Sequence, residues 1–161
     1  MDRDKIEEKI AFLLLEKNIS VGVAESCSGG LLAHRLTNIS GSSGYFSGGV
    51  VAYANEVKTK LLKVPEALIQ KQGAVCEEVA IFMARGIRLL VGSDLGVGIT
   101  GIAGPTGETK EKPVGLVYIA VVSNNFQFCK KNIFSGNREE VKYQTSETAL
   151  QLILEMVTKD K

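Results

Sequence analysis

Two serine hydroxyls and a thiol stand side by side at Ser26, Cys27 and Ser28, and Gly29 and Gly30 follow them. A hydroxyl or thiol becomes a nucleophile once a base takes its proton. The two glycines let main-chain amides approach a ligand, so the run can hold a phosphate or an oxyanion where a helix begins. The same serines also read as ordinary helix caps. Cys27 is the rival nucleophile, because a thiolate is favoured at a helix N-terminus. A thiol enzyme ordinarily needs a basic partner, however, and a cysteine between two ligand-facing serines more often turns into the core.

The base is the scarce component. His34 is the only histidine, so neither a Ser-His-Asp triad with a spare imidazole nor a His-rich metal centre can be assembled. It falls in the helical pattern after the polar turn and is expected at the surface. A desolvated lysine is the remaining way to activate a serine near neutral pH, and Lys58 is the candidate, with Tyr53 as a proton relay. The alternative is a solvated lysine and a tyrosine at the edge of the core. Cys27, Cys76 and Cys129 are too widely spaced for a disulfide framework or a zinc site, and reduced thiols are expected.

Two further features point to an anion or a flat ring. Gly98, Gly101, Gly104 and Gly107 recur every third residue, which matches neither the dinucleotide fingerprint nor the phosphate-loop motif. They instead shape a tight loop whose amides, with the Thr100 hydroxyl, can hold such a ligand. Arg138 begins a helical pattern, where the helix dipole disfavours a cation. That placement fits an anionic ligand or, equally, a surface ion pair.

The elements that carry these residues follow from periodicity. Ile6, Ile10, Leu13 and Leu14 give an amphipathic first helix that Asn18 ends. Ile19 to Ala24 reads as a buried strand, the Ser26–Gly30 run as a strand-to-helix turn, and Leu31 to Thr37 as the helix. A strand over Phe46 to Ala54 presents Tyr53 and Asn55; Asn55 caps the next helix, which carries Lys58 in its first turn and stops at Val64-Pro65. Val79, Phe82, Met83, Gly86 and Leu90 form one helical face. Asp94 to Thr100 is a strand leading into the glycine loop at Gly101, and Glu108 to Lys112 an exposed loop tip. Gly115 to Val122 and Phe126 to Phe134 form a hairpin through Ser123-Asn124-Asn125, and Arg138 to Val157 is the last helix. The expected fold is a three-layer α/β/α sandwich around a mixed, mostly parallel sheet with one late antiparallel hairpin. Ligands in such sheets bind beyond the carboxyl ends of strands, where the turns near Ser26, Asn55 and Gly101 lie.

With 161 residues the chain fits one domain, 1–161, able to bury its own core. A formal charge of +1 gives no field toward nucleic acid or anionic lipid. The N-terminal segment has no signal-peptide cleavage site, and no apolar run is long enough to span a bilayer, so a cytoplasmic location is expected, with neither membrane nor nucleic acid as partner.

The segments VGVAESCSGGLL (21–32), ISGSSGYFSGGVVAYANEVKTKLL (39–62), GAV (73–75), GITGIAGPTG (98–107), KPVGLVYIAV (112–121) and FSGNR (134–138) together resemble the CinA C-terminal family, whose stand-alone members include nicotinamide-nucleotide amidases. The resemblance runs through nearly the whole chain, in order. It implies hydrolysis of nicotinamide mononucleotide to nicotinic acid mononucleotide and ammonia, a pyridine-nucleotide recycling step, with no metal or organic cofactor. Its proposed serine corresponds to Ser26, and the tyrosine and lysine of its tyrosine-x-asparagine-x-x-lysine segment to Tyr53 and Lys58. The chain departs from the family's pattern at Ser28, where many members carry threonine, and at Cys76, where serine is common.

On that resemblance Lys58 takes the Ser26 proton, Ser26 attacks the carboxamide and water releases the acid. The amides of Ser28, Gly29 and Gly30, or Thr100, stabilise the oxyanion; Asn55 and Gly101 line the substrate, and Arg138 holds its phosphate. Many relatives carry a further N-terminal domain. Beginning at Met1 with its own helix, this chain is expected to be a stand-alone unit that assembles as a homo-oligomer, a dimer being the simplest case. The competing readings are a non-catalytic nucleotide-binding or competence-associated regulatory module and a thiol enzyme or redox sensor centred on Cys27.

Overall fold

Strands whose residues are apolar on both faces need cover on both, and this chain supplies it with helices from either side of one sheet. The computed structural model describes residues 5–159, so the ends of the expected domain, 1–4 and 160–161, lie outside the described residues. Helix α1 (Ile6–Lys17) ends at Asn18, which takes the left-handed conformation at φ 55°. Strand β1 (Val21–Glu25) and helix α2 (Leu31–Thr37) flank the polar turn. A short 3₁₀ turn over Ser42–Gly44 leads into β2 (Phe46–Val51), and helices α3 (Asn55–Leu62), α4 (Glu66–Gln72) and α5 (Glu77–Val91) follow. Strands β3 (Leu95–Gly101), β4 (Leu116–Val122) and β5 (Gln127–Ile133) precede the long helix α6 (Arg138–Lys159).

The sheet order is β2-β1-β3-β4-β5. Strands β2, β1 and β3 pair in parallel, β4 is antiparallel to β3, and β5 is antiparallel to β4. Strand β4 alone therefore runs against the others, and it forms the expected hairpin with β5. On one face α1, α2 and α6 cover Val21, Val23, Val97, Ile99, Val117 and Ile119; on the other, α3 and α5 pack with Ala24, Ala52 and Val64. The three-layer α/β/α architecture is as expected. Helix α5 lies hard against β3: a Cβ placed on Gly98 would come within 2.2 Å of the Ala80 carbonyl oxygen, so glycine sets how close the layers can be.

Four local expectations are corrected. Strand β2 ends at Val51, opposite Glu25, the last residue of β1, and the Ala52 N–H to the Glu25 carbonyl at 2.8 Å is the last bond between the two. Asn55 is the first helical residue and not the cap; Ala54 holds the cap position with no side-chain bond. Pro65 does not only stop α3: it takes the cap position of α4, a seven-residue helix whose half-buried Leu68 and Ile69 make too short an apolar stripe to betray it. On α5 the buried face is Val79, Ala80, Met83, Ala84, Gly86 and Ile87, whereas Leu90 is 52% exposed. No helix among the described residues is long and apolar enough to cross a membrane.

Candidate active site

Ser26 is the first residue beyond β1, and its N–H donates to the Ile99 carbonyl of β3 at 3.1 Å, which fixes it at the carboxyl end of two neighbouring parallel strands. Lys58 arrives from the first turn of α3 and is 1% exposed, one of the largest fully buried side chains. Its Nζ lies 3.0 Å from Ser26 Oγ, 2.8 Å from the Ala52 carbonyl and 3.2 Å from the Tyr53 carbonyl. Burial pushes the Lys58 pKa down, since the ammonium form has lost its water. A neutral amine in this position gives its two hydrogens to the two carbonyls and turns its lone pair to the serine hydroxyl, as a general base must.

Ser26 and Lys58 open into a cavity of about 380 Å³ that is also lined by Tyr53, Asn55, Thr100, Gly101 and Arg138. Seven residues from four separate segments, all named from the sequence, thus converge. The convergence also refines several roles. The Tyr53 hydroxyl makes no bond to Ser26 or Lys58; it accepts from Arg138 Nη2 at 2.8 Å, and it is the Tyr53 carbonyl that faces Lys58. A side-chain proton relay is replaced by a main-chain contact. Thr100 spends its hydroxyl hydrogen on the Ala74 carbonyl at 2.7 Å, so it has none left for an oxyanion.

Ser28, Gly29 and Gly30 do not line the cavity, and the Ser28 hydroxyl and the Gly29 and Gly30 amides are engaged elsewhere. Ser28 Oγ donates to Glu25 Oε2 at 2.5 Å, the Gly30, Leu32 and Ala33 amides donate to the same carboxylate at 2.8 to 3.2 Å, and the Gly29 amide donates to the Ser26 carbonyl at 3.0 Å. The turn that was to bind the substrate's oxyanion already holds one of the protein's own. Glu25, 1% exposed, is the residue that sequence reasoning passed over. Its signal was present: a carboxylate closing a strand buried on both faces must find hydrogen-bond donors, and the nearest are the amides of the next helix.

Cys27 lines the cavity but is nearly buried, and burial, with the Glu25 charge adding to it, pushes its thiol up to about 12. It is a thiol and not a thiolate at ordinary pH. His34 is exposed on α2, as expected. Arg138, at the head of α6, also donates through Nη1 to the Gly104 carbonyl at 2.7 Å.

An α/β/α sandwich with a buried serine and lysine paired at the carboxyl ends of its parallel strands defines the class. The CinA C-terminal domain model matches residues 3–157, and the chain belongs to that family. A Moorella thermoacetica protein named as a competence-damage inducible protein is 49% identical over 94% of this chain; the chain spans 37% of that relative's length, little over a third, as it does for the other curated relatives. Among solved structures, the Klebsiella pneumoniae competence damage-inducible protein A superposes with a TM-score of 0.93 at 28% identity, covering 97% of each chain. The Agrobacterium tumefaciens competence/damage inducible protein CihA gives 0.90 at 35% identity over 96% of each.

Proposed function

We propose that the chain is a serine-lysine amidohydrolase that converts nicotinamide mononucleotide to nicotinic acid mononucleotide and ammonia. The observation that carries this reading is the buried Lys58 Nζ at 3.0 Å from Ser26 Oγ, with two carbonyls taking its hydrogens. Ser26 Oγ attacks the carboxamide carbon as Lys58 takes its proton. The C–N bond then breaks, Lys58 hands the proton to the departing nitrogen, and ammonia leaves an ester on Ser26. In the second half Lys58 takes a proton from water, whose oxygen attacks that ester, and returns it to Ser26 as the acid departs. Family membership and the match of Ser26, Tyr53 and Lys58 to the family's motifs support the same reading.

The test is ammonia release from nicotinamide mononucleotide by the purified chain, beside Ser26→Ala and Lys58→Ala. Turnover that both substitutions abolish supports the amidase. Nucleotide binding without turnover by the intact chain would favour the regulatory module instead.

A further inference from the structure

A second cavity, of about 470 Å³, opens between the last turns of α5 and the turn that joins β4 to β5. It lies at the opposite end of the sheet from Ser26. Val122, which lines it, pairs with Gly96 near the start of β3, whereas Ser26 meets β3 near its carboxyl end, and the strand runs about 20 Å from Leu95 to Gly101. Arg85 and Arg88, one turn apart on α5, both line this cavity, and no aspartate or glutamate among the described residues does. One cation near a helix C-terminus is ordinary, because the dipole favours it. Two at neighbouring positions repel each other. The only ion pairs among the described residues belong to Arg35, so no carboxylate offsets that repulsion. Asp94 turns its carboxylate to Ser20 and gives Arg88 only its carbonyl oxygen.

Both guanidinium groups are nonetheless held in place, by neutral oxygens. Arg88 donates through Nε to the Asp94 carbonyl at 2.9 Å and through Nη2 to Asn124 Oδ1 at 2.5 Å, and Arg85 Nη2 donates to Gln127 Oε1. These bonds use three of the ten N–H groups that two arginines carry. A guanidinium has no lone pair, so Asn124 and Gln127 must turn their oxygens to it and keep their N–H₂ groups to donate. The cavity thus combines a charge of +2, oriented forks and a surplus of donors. Leu89, 77% exposed, and the half-buried Phe126 add an apolar wall to it.

We propose that this cavity is a second binding site, separate from the catalytic one, for a small organic dianion: a phosphate monoester or a dicarboxylate built on an apolar body. Two forks bind two pairs of oxygens side by side, and a charge of −2 neutralises both arginines where a single carboxylate would leave one uncompensated. Leu89 and Phe126 then receive the rest of the ligand. The proposal is independent of the amidase reading, because none of these residues lines the Ser26–Lys58 cavity.

The experiment titrates phenyl phosphate and phthalate, aromatic dianions of the two kinds, into the intact chain at about pH 8, with calorimetry for affinity and NMR to locate the ligand. The tighter probe identifies the oxyanion. Binding is expected to shift the side-chain amide signals of Asn124 and Gln127. Arg85→Gln, at an exposed position, and Arg88→Gln are each expected to weaken it at least about tenfold, from the loss of charge-assisted hydrogen bonds. Arg138→Ala should leave it unchanged. Phenyl phosphate is expected to bind several-fold tighter than inorganic phosphate, an advantage that Leu89→Ser removes; equal affinities would strike the apolar wall from the site. Three results would overturn the proposal: no binding of either probe at about 10 mM, affinity indifferent to both arginines, or shifts confined to the Ser26 cavity and lost in Arg138→Ala.

Discussion

Lys58 Nζ and Ser26 Oγ lie 3.0 Å apart although the residues are 32 positions apart in the chain, and the pair is buried. Replacing either partner should abolish catalysis by a different route. Ser26→Ala removes the nucleophile, whereas Lys58→Met keeps the packing and removes the base. Each is expected to lower kcat by about 10² to 10⁴ or more, the range of a positioned general base, while the mononucleotide still binds. Ammonia release with parallel calorimetry checks this; a Lys58→Met enzyme with near-normal kcat would contradict the assignment.

The lowered pKa of Lys58 has two consequences for pH. Only the neutral amine accepts a proton, so kcat/KM should rise with pH through an inflection below the ordinary lysine value of 10.5. Stability should follow the same direction. Between the folded pKa and the higher unfolded one, the unfolded chain holds a proton that the folded chain has released, so stability increases as pH rises across that window. A Lys58→Met protein should lose this contribution, which urea midpoints taken across the pH series would reveal.

Cys27 should be chemically silent. Its thiol is pushed up to about 12, so iodoacetamide at pH 8 should leave it unlabelled in the folded protein, and Cys27→Ala should retain most of the activity. Rapid labelling seen by mass spectrometry, together with loss of turnover, would restore the thiol enzyme.

Glu25 organises the turn that delivers Ser26. Glu25→Gln presents an N–H₂ group to amides that need an acceptor, and leaving buried donors unsatisfied costs about 1–3 kcal/mol. The expected result is a lower urea midpoint at unchanged m-value, with kcat falling more than KM changes. A variant as stable and active as the parent would show that the turn does not need the charge.

Much of this arrangement was legible before any coordinates. Apolar runs with turn residues between them set the order of strands and helices, and the scarcity of histidine directed attention to Lys58. What escaped was governed by partners distant in sequence or by elements without a pattern. Helix α4 has seven residues and packs only Leu68 and Ile69 against the core, too few to show a period. The roles of the Ser28 hydroxyl and the Gly30 amide depended on Glu25, whose carboxylate competes for the same donors as a substrate oxyanion would.

The sequence by itself determined the residue types: one serine after a buried strand, one lysine in a helix's first turn, glycines where the chain must turn or two layers must touch. Only the tertiary structure decided which donors remain available. Hydrogen-bond capacity is finite, and a donor's partner is whichever acceptor the fold brings within about 3 Å. Thr100 is thereby used by Ala74, the α2 amides by Glu25 and the Tyr53 oxygen by Arg138, while the guanidinium groups of Arg85 and Arg88 keep hydrogens to spare.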